Sequence, residues 1–415
     1  MARLAPIRLA GTLAATALCV VAATEASAQQ DRSIVLNQQL QLGDVIAGQT
    51  LNVEGATGEV GVNVAAQGVT LSGTVENGEL ELSSQQTMRG NTSATTTMTL
   101  TGDTQGPVNA TTQARGTYLG AGAYGADLSI DATQTVGPSE VTASSTITGS
   151  SARLIGGASV GVTAIANTTS LGASGSRVEG TVIQNSAAGV RASNFAGTQY
   201  IPETGEFISQ SAGNVVTVNS GLASSQDLTI RQRQSGDQVT ASTSANSGNA
   251  WDLAGRARAT GNQALLYNQG GSAVVTTDQS NLSQIQTASR VTSYDFGAAT
   301  SNAYGTGNEV SIGNNDRYLE IDNSQVNSGG VEVSSTFEGA YGYDAYVAAE
   351  AVGNSVTGYA CSQCDGQMDV TNSQTNSGTV SATAATTVRG SGRSVATGAN
   401  AIGNSATFYV SRPGT

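Results

Sequence analysis

The chain has 415 residues, of which 38% are hydrophobic, 11% charged and 4% aromatic, and its formal net charge is −13. All 17 basic residues are arginine and there is no histidine, so the commonest general base, metal ligand and amine nucleophile are missing and catalysis is disfavoured. The negative charge argues against nucleic acid and against docking on anionic lipid, both of which need Lys and Arg.

Residues 1–28 read as a signal peptide. Arg3 and Arg8 give a positive start, Leu9 to Ala23 is a short apolar run, and Ala26-Ser27-Ala28 is an A-x-A cleavage pattern before Gln29. Export is therefore expected, with no transmembrane span in the mature chain, because the run is too short and ends at a cleavage site.

Residues 29–84 carry the densest aliphatic alternation, including Ile34, Leu36, Leu40, Leu42, Val45 and Leu51, broken by glycines such as Gly43, Gly48 and Gly55. Solenoids need atypical terminal units, so this region is expected to be an N-terminal β cap of closely spaced short strands, or a docking face for a partner.

From 85 to 410 the chain repeats. Gln86, Gln134, Gln184, Gln234, Gln279, Gln325 and Gln374 are 48, 50, 50, 45, 46 and 49 residues apart. A second marker keeps the same period: Asn167, Asn214, Asn262, Asn308, Asn354 and Asn404 follow Ala166 in the first case and a glycine in the others, at steps of 47, 48, 46, 46 and 50. Within a unit, apolar residues alternate with polar ones: Val331, Val333 and Phe337 oppose Glu332, Ser334 and Thr336, and Val380, Ala382, Ala384 and Val388 share a parity. Period two is a strand with one face inward. Asn376-Ser377-Gly378, Gly390-Ser391-Gly392 and Gly398-Ala399-Asn400 have turn composition, so a unit reads as three strands joined by turns.

The inward residues are small, as suits stacked coils about 4.8 Å apart. The fold expected is all-β, an elongated β-solenoid of about seven degenerate repeats of roughly 48 residues. One wide coil and two narrow coils per unit are both compatible with the pattern. Identical amides stacked in register would form ladders, the role expected of the Gln and Asn markers. Residues 411–415 form a short tail without a sorting motif or terminal aromatic.

Three groups could carry chemistry. Cys361 and Cys364 are most simply a disulfide in an exported chain; the sequence context of a redox helix and the partners of a zinc site are both missing. Asp344, Asp365 and Asp369 are the acids that a polysaccharide-modifying β-helix would use, although their spacing matches no recognised catalytic or calcium motif. Tyr341, Tyr343 and Tyr346 offer flat amphipathic rings suited to sugar or protein contact, or to filling a widened coil. No cofactor or metal is expected.

The Lys-free and His-free mature chain, rich in Gln, Asn, Ser, Thr, Gly and Ala, with degenerate units ending GNSVTGYA and GNSATFYV, resembles the holdfast anchor protein D family of stalked bacteria. The resemblance implies a cell-surface, outer-membrane-associated protein that fixes the adhesive holdfast polysaccharide to the stalk tip without catalysis. The partners it implies are a small curlin-like anchor subunit and a curli-pore-like secretion lipoprotein. It carries over no site residues. Open sheet edges would also let copies join end to end, which keeps a homo-oligomer and a curlin-like fibre subunit among the readings.

Overall fold

A computed structural model describes residues 32–221, 223–316, 318–361 and 366–410. The expected signal peptide and the tail at 411–415 lie outside the described residues.

The fold is an all-β parallel solenoid, as the alternation predicts. All 18 strands belong to one sheet in which every named pairing is parallel. The offset between partners decides the coil size. Gln279 pairs with Gln325, Asn262 with Asn308 and Val331 with Val380, so each layer is one whole repeat and there is one wide coil per unit.

A coil in the middle of the stack consists of a short strand such as Ser272–Asn281 and a long one such as Gln284–Asn314. The long strand keeps its ladder while bending. Its neighbour Gln238–Asn268 shows a register irregularity against Gly189–Ser220 between Ala250 and Asp252, whereas Ala250 and Asp252 stack evenly on Phe296 and Ala298, so the second expected turn is a corner within the continuous strand in these coils. The expected turn at Gly398-Ala399-Asn400 is not one. These residues lie inside the strand Ser394–Val410, paired with Ala348, Ala349 and Glu350, because the ladder of the preceding coil continues there without a break.

The interior divides into two apolar compartments. One collects residues such as Val239, Phe296, Phe337 and Val347; the other collects Leu266, Val275, Ile312 and Ile321. The markers lie between them. Gln279 donates to the backbone carbonyl of Glu309 at 3.1 Å and Asn308 to that of Val326 at 2.8 Å, which ties opposite walls together where buried carbonyls would otherwise lack partners.

The same amides form axial ladders. From Gln374 each glutamine donates to the Oε1 of the preceding coil, through Gln325, Gln279, Gln232, Gln184, Gln134 and Gln86 to Gln39, at 2.7–3.2 Å. The repeat marker Gln234 needs correction: Gln232 occupies the ladder, while Gln234 stacks on Ser186 and Asn281. Two glutamines two residues apart share a parity, so spacing alone could not separate them. The asparagines run the other way, each donating to the Oδ1 of the following coil from Asn167 to Asn404 at 2.7–2.8 Å.

Glycine precedes Asn214, Asn262, Asn308 and Asn354 for want of space. A Cβ at Gly307 would lie 2.5 Å from both Asn327 Oδ1 and the carbonyl oxygen of Gly353, closer than any side chain permits.

The described part of the region expected as a cap is a coil of the same build. Arg32–Gln41 stacks on Glu79–Met88 and Val45–Val53 on Thr92–Leu100, each 47 residues on. It stands at the end of the stack. Its apolar alternation has the opposite phase from the later coils: Gln39 lies over Gln86, so Ile34, Leu36 and Leu40 point outward and are 57%, 79% and 58% exposed.

Candidate functional site: an aromatic cleft at the bulged corner

The corners of successive coils lie above one another. Tyr200, Asn249, Asp295 and Tyr341 are in register across four coils. At the corner the strict inward and outward alternation breaks, as at Gly248 and Asn249, both exposed, and several of the outward side chains are aromatic. Together they form an open cleft of about 560 Å³ whose lining includes Tyr200, Trp251, Tyr341 and Tyr343 with Asn249 and Asp295.

The rings support one another. Trp251 meets Tyr343 edge to face with centroids 6.1 Å apart, and Tyr294 meets Tyr341 in the same way at 5.7 Å. Edge-to-face pairs are the favoured aromatic arrangement and hold each ring in place. Glycines admit them: a Cβ at Gly297 would lie 2.4 Å from the carbonyl oxygen of Trp251, and one at Gly390 would lie 2.4 Å from the Tyr341 ring.

Ion pairs flank the cleft. On one side Arg393 grips Asp344, Nε to Oδ1 at 3.0 Å with a second contact from Nη2 to Oδ2, and its guanidinium lies 5.4 Å from the centre of the Tyr343 ring. On the other side Glu338 receives Arg389 and Arg290. The arginine thus anchors Tyr343 through charge and ring together.

Of the residues singled out in the sequence, Tyr341 and Tyr343 line the cleft. Tyr346 is outside its lining; it is an outward residue in register with Thr300 and Ala396. Trp251, Tyr294 and Tyr200 escaped the sequence reading because they come from earlier coils. The signal was available: Trp251, Gly297 and Tyr343 recur at the same 46-residue step.

The acids occupy separate settings. Asp344 is held below the usual carboxylate range, first by its side-chain hydrogen bond from Arg393, whereas a general acid at neutral pH needs a raised value. Asp369 accepts from Tyr318 Oη at 3.2 Å and Gln367 Nε2 at 3.0 Å. Hydrogen bonds to Glu320 above all, then burial and the bond to Asp369, push the Tyr318 phenol up to about 12. Asp365 lies outside the described residues. Cys361 is buried and enters a disulfide; Cys364 lies outside the described residues, and its pairing with Cys361 stands as a proposal.

The profile of a family described as holdfast attachment protein D matches residues 54–330, well over half of the chain. No curated protein and no solved structure gives a significant match. Among the described residues, no helix is long and apolar enough to cross a membrane.

Proposed function

This chain belongs to the holdfast attachment protein D family, and we propose that it serves as a structural anchor at the cell surface, holding the adhesive polysaccharide to the outer membrane through the aromatic cleft. The observation that carries this reading is the cluster of half-exposed rings at one corner. Trp251 and Tyr294 are each 61% exposed, and Tyr341 and Tyr343 each 51%.

A pyranose presents an apolar C–H face and a rim of hydroxyls. Rigid ring faces suit the first and Asn249, Asp295 and Ser391 in the same lining suit the second. Each such contact is weak, and a polymer engaging several copies or several sites gains by multivalency. The role we propose needs no chemical step, and the pairing of Asp344 with Arg393 leaves that acid poorly placed for one.

Retention at the envelope falls, in this proposal, to the outward aliphatic residues of the first coil. Ile34, Leu36, Leu40 and Ile46 are exposed, where the equivalent residues one coil on are Glu81, Ser83, Thr87 and Ser93. An apolar patch in a polar repeat suits a protein partner, for which the curlin-like subunit and the pore-like lipoprotein are candidates.

The test is a deletion strain complemented with wild type or with Trp251→Ala/Tyr343→Ala. Both should place equal amounts of protein on the surface, and the double variant should shed adhesive polysaccharide into the medium as the deletion strain does. Normal attachment by the deletion strain would overturn the anchor reading. Normal attachment by the variant alone would overturn the cleft.

A further inference from the structure

The two ends of the stack share residues at several inward positions. At the N-terminal end the inward residues of Arg32–Gln41 are Val35, Asn37, Gln39 and Gln41, identified by their partners Leu82, Ser84, Gln86 and Met88. Following the register through every coil, the residues at these positions in the final coil are Val370, Asn372, Gln374 and Asn376. The next wall repeats the match in part: Val45, Ala47 and Val53 at one end correspond to Val380, Ala382 and Val388 at the other, while Gln49 and Leu51 correspond to Ala384 and Thr386.

This likeness is not a property of every layer. Between Asn37 and Asn372 the column passes through Ser84, Ala132, Val182, Ile230, Thr277 and Asn323. Asparagine therefore returns at the far end after a run of residues that cannot form an amide ladder.

Hydrogen-bond polarity completes the fit. Gln374 donates to Gln325 and to the Ser405 carbonyl, and among the described residues no donor reaches its Oε1. Gln39 gives one amide hydrogen to the Thr70 carbonyl, leaving the other to point along the axis. Among the described residues Asn372 accepts from Asn323 at 2.7 Å and its own amide reaches no acceptor, whereas Asn37 donates to Ser84 and to Gln39 Oε1 and no donor reaches its Oδ1. A donor at each end thus faces a lone acceptor at the other. Two like ends would oppose donor to donor and acceptor to acceptor.

We propose that copies of this protein stack head to tail, the first coil of one on the last coil of the next. Gln39 donates to Gln374 of the neighbour and receives the column's continuation, while Asn372 of that neighbour donates to Asn37. The unpaired edges of both end coils are joined into parallel ladders, the arrangement that open sheet edges favour. Val45 closes over Val380 and Val53 over Val388, covering apolar residues that are only partly buried in one copy. The asparagine ladder does not continue: Asn404 meets Val69, because that ladder begins only at Asn167. The contact is heterologous and does not close on itself, so it builds a filament. The proposal is independent of sugar binding at the cleft.

Purified exported chain should form filaments visible by electron microscopy, with an axial repeat of about 38 Å from eight coils at about 4.8 Å each. Val45→Arg blocks the head and Val380→Arg the tail. Each alone should be monomeric by light scattering with an unchanged strand signal in circular dichroism, and their equimolar mixture should give dimers and nothing larger. Asn372→Asp keeps the acceptor that Asn323 uses and replaces the outward donor, so it should weaken assembly at least tenfold even if the arginine variants misfold. A wild-type chain that stays monomeric, or an Asn372→Asp variant that assembles as well as wild type, would overturn the proposal.

Discussion

Trp251 and Tyr343 touch edge to face although two full coils separate them along the chain. The contact exists because Ala250 and Asp252 stack evenly on Phe296 and Ala298, and these on Gly342 and Asp344, so the corner residues between them lie above one another. A surface side chain in a solenoid acquires neighbours from the coil period, and the cleft is an expression of that period.

The cleft predicts a graded response. Trp251→Ala or Tyr343→Ala should weaken binding of the isolated adhesive polysaccharide by about three- to tenfold each, the scale of one aromatic contact. Tyr346→Ala, outside the lining, should leave affinity within twofold. Equal losses at all three positions in a calorimetric titration would mean that the binding surface lies elsewhere.

The glutamine ladder should be more costly to break in the middle than at the end. Gln232→Ala leaves Gln184 Oε1 and the Gln263 carbonyl without this donor and Gln279 without its acceptor, a loss of about 3–6 kcal/mol for three stranded groups. Gln374→Ala removes the donor to Gln325 Oε1 and the Ser405 carbonyl at the end of the stack, where water can replace it, and should cost less than half as much. Urea midpoints of the two variants, measured at one protein concentration, decide the point; equal shifts would show that the ladder carries no axial cooperativity.

Gly307→Ala places a methyl group 2.5 Å from Asn327 Oδ1 and the Gly353 carbonyl. Neither can retreat without opening a ladder, so a loss of about 1–3 kcal/mol is expected. Gly398→Ala, where a Cβ meets nothing within 4 Å, should be neutral or slightly stabilising. A neutral Gly307→Ala would remove the steric account of the Gly-Asn marker.

Acid should weaken the flank of the cleft. Asp344 and Asp103 are both held below the ordinary value of 3.8, first by the side-chain hydrogen bonds of Arg393 and Arg153. A carboxyl depressed in the folded chain contributes stability above its unfolded pKa and loses it as pH falls through the folded one. Unfolding midpoints should therefore drop as pH is lowered from about 5 to below 3, and Asp344→Asn should lose less than wild type over that window. Parallel curves would show that this pair contributes nothing to acid sensitivity. The effect should be small, because both partners are exposed to solvent.

Strand type and coil period were written locally, in residues one or two apart and in two markers that recur at a nearly constant step. Period-two patterning makes strands wherever it occurs, and stacking identical amides satisfies hydrogen bonds that no other arrangement of buried glutamine and asparagine does as readily. Val331, Val333 and Phe337 were legible as inward residues for that reason. Which glutamine enters the ladder, Gln232 and not Gln234, depended on where the neighbouring coils placed their own amides. So did the phase of the first coil: the alternation of Ile34, Leu36 and Leu40 marks one apolar strand face without saying which way it points, and the seat of Gln39 over Gln86 turns it to solvent. The aromatic cleft and the matching end faces likewise arise from residues tens or hundreds of positions apart, brought into register only when the coils close, because contacts between layers depend on the accumulated offset of every layer between them.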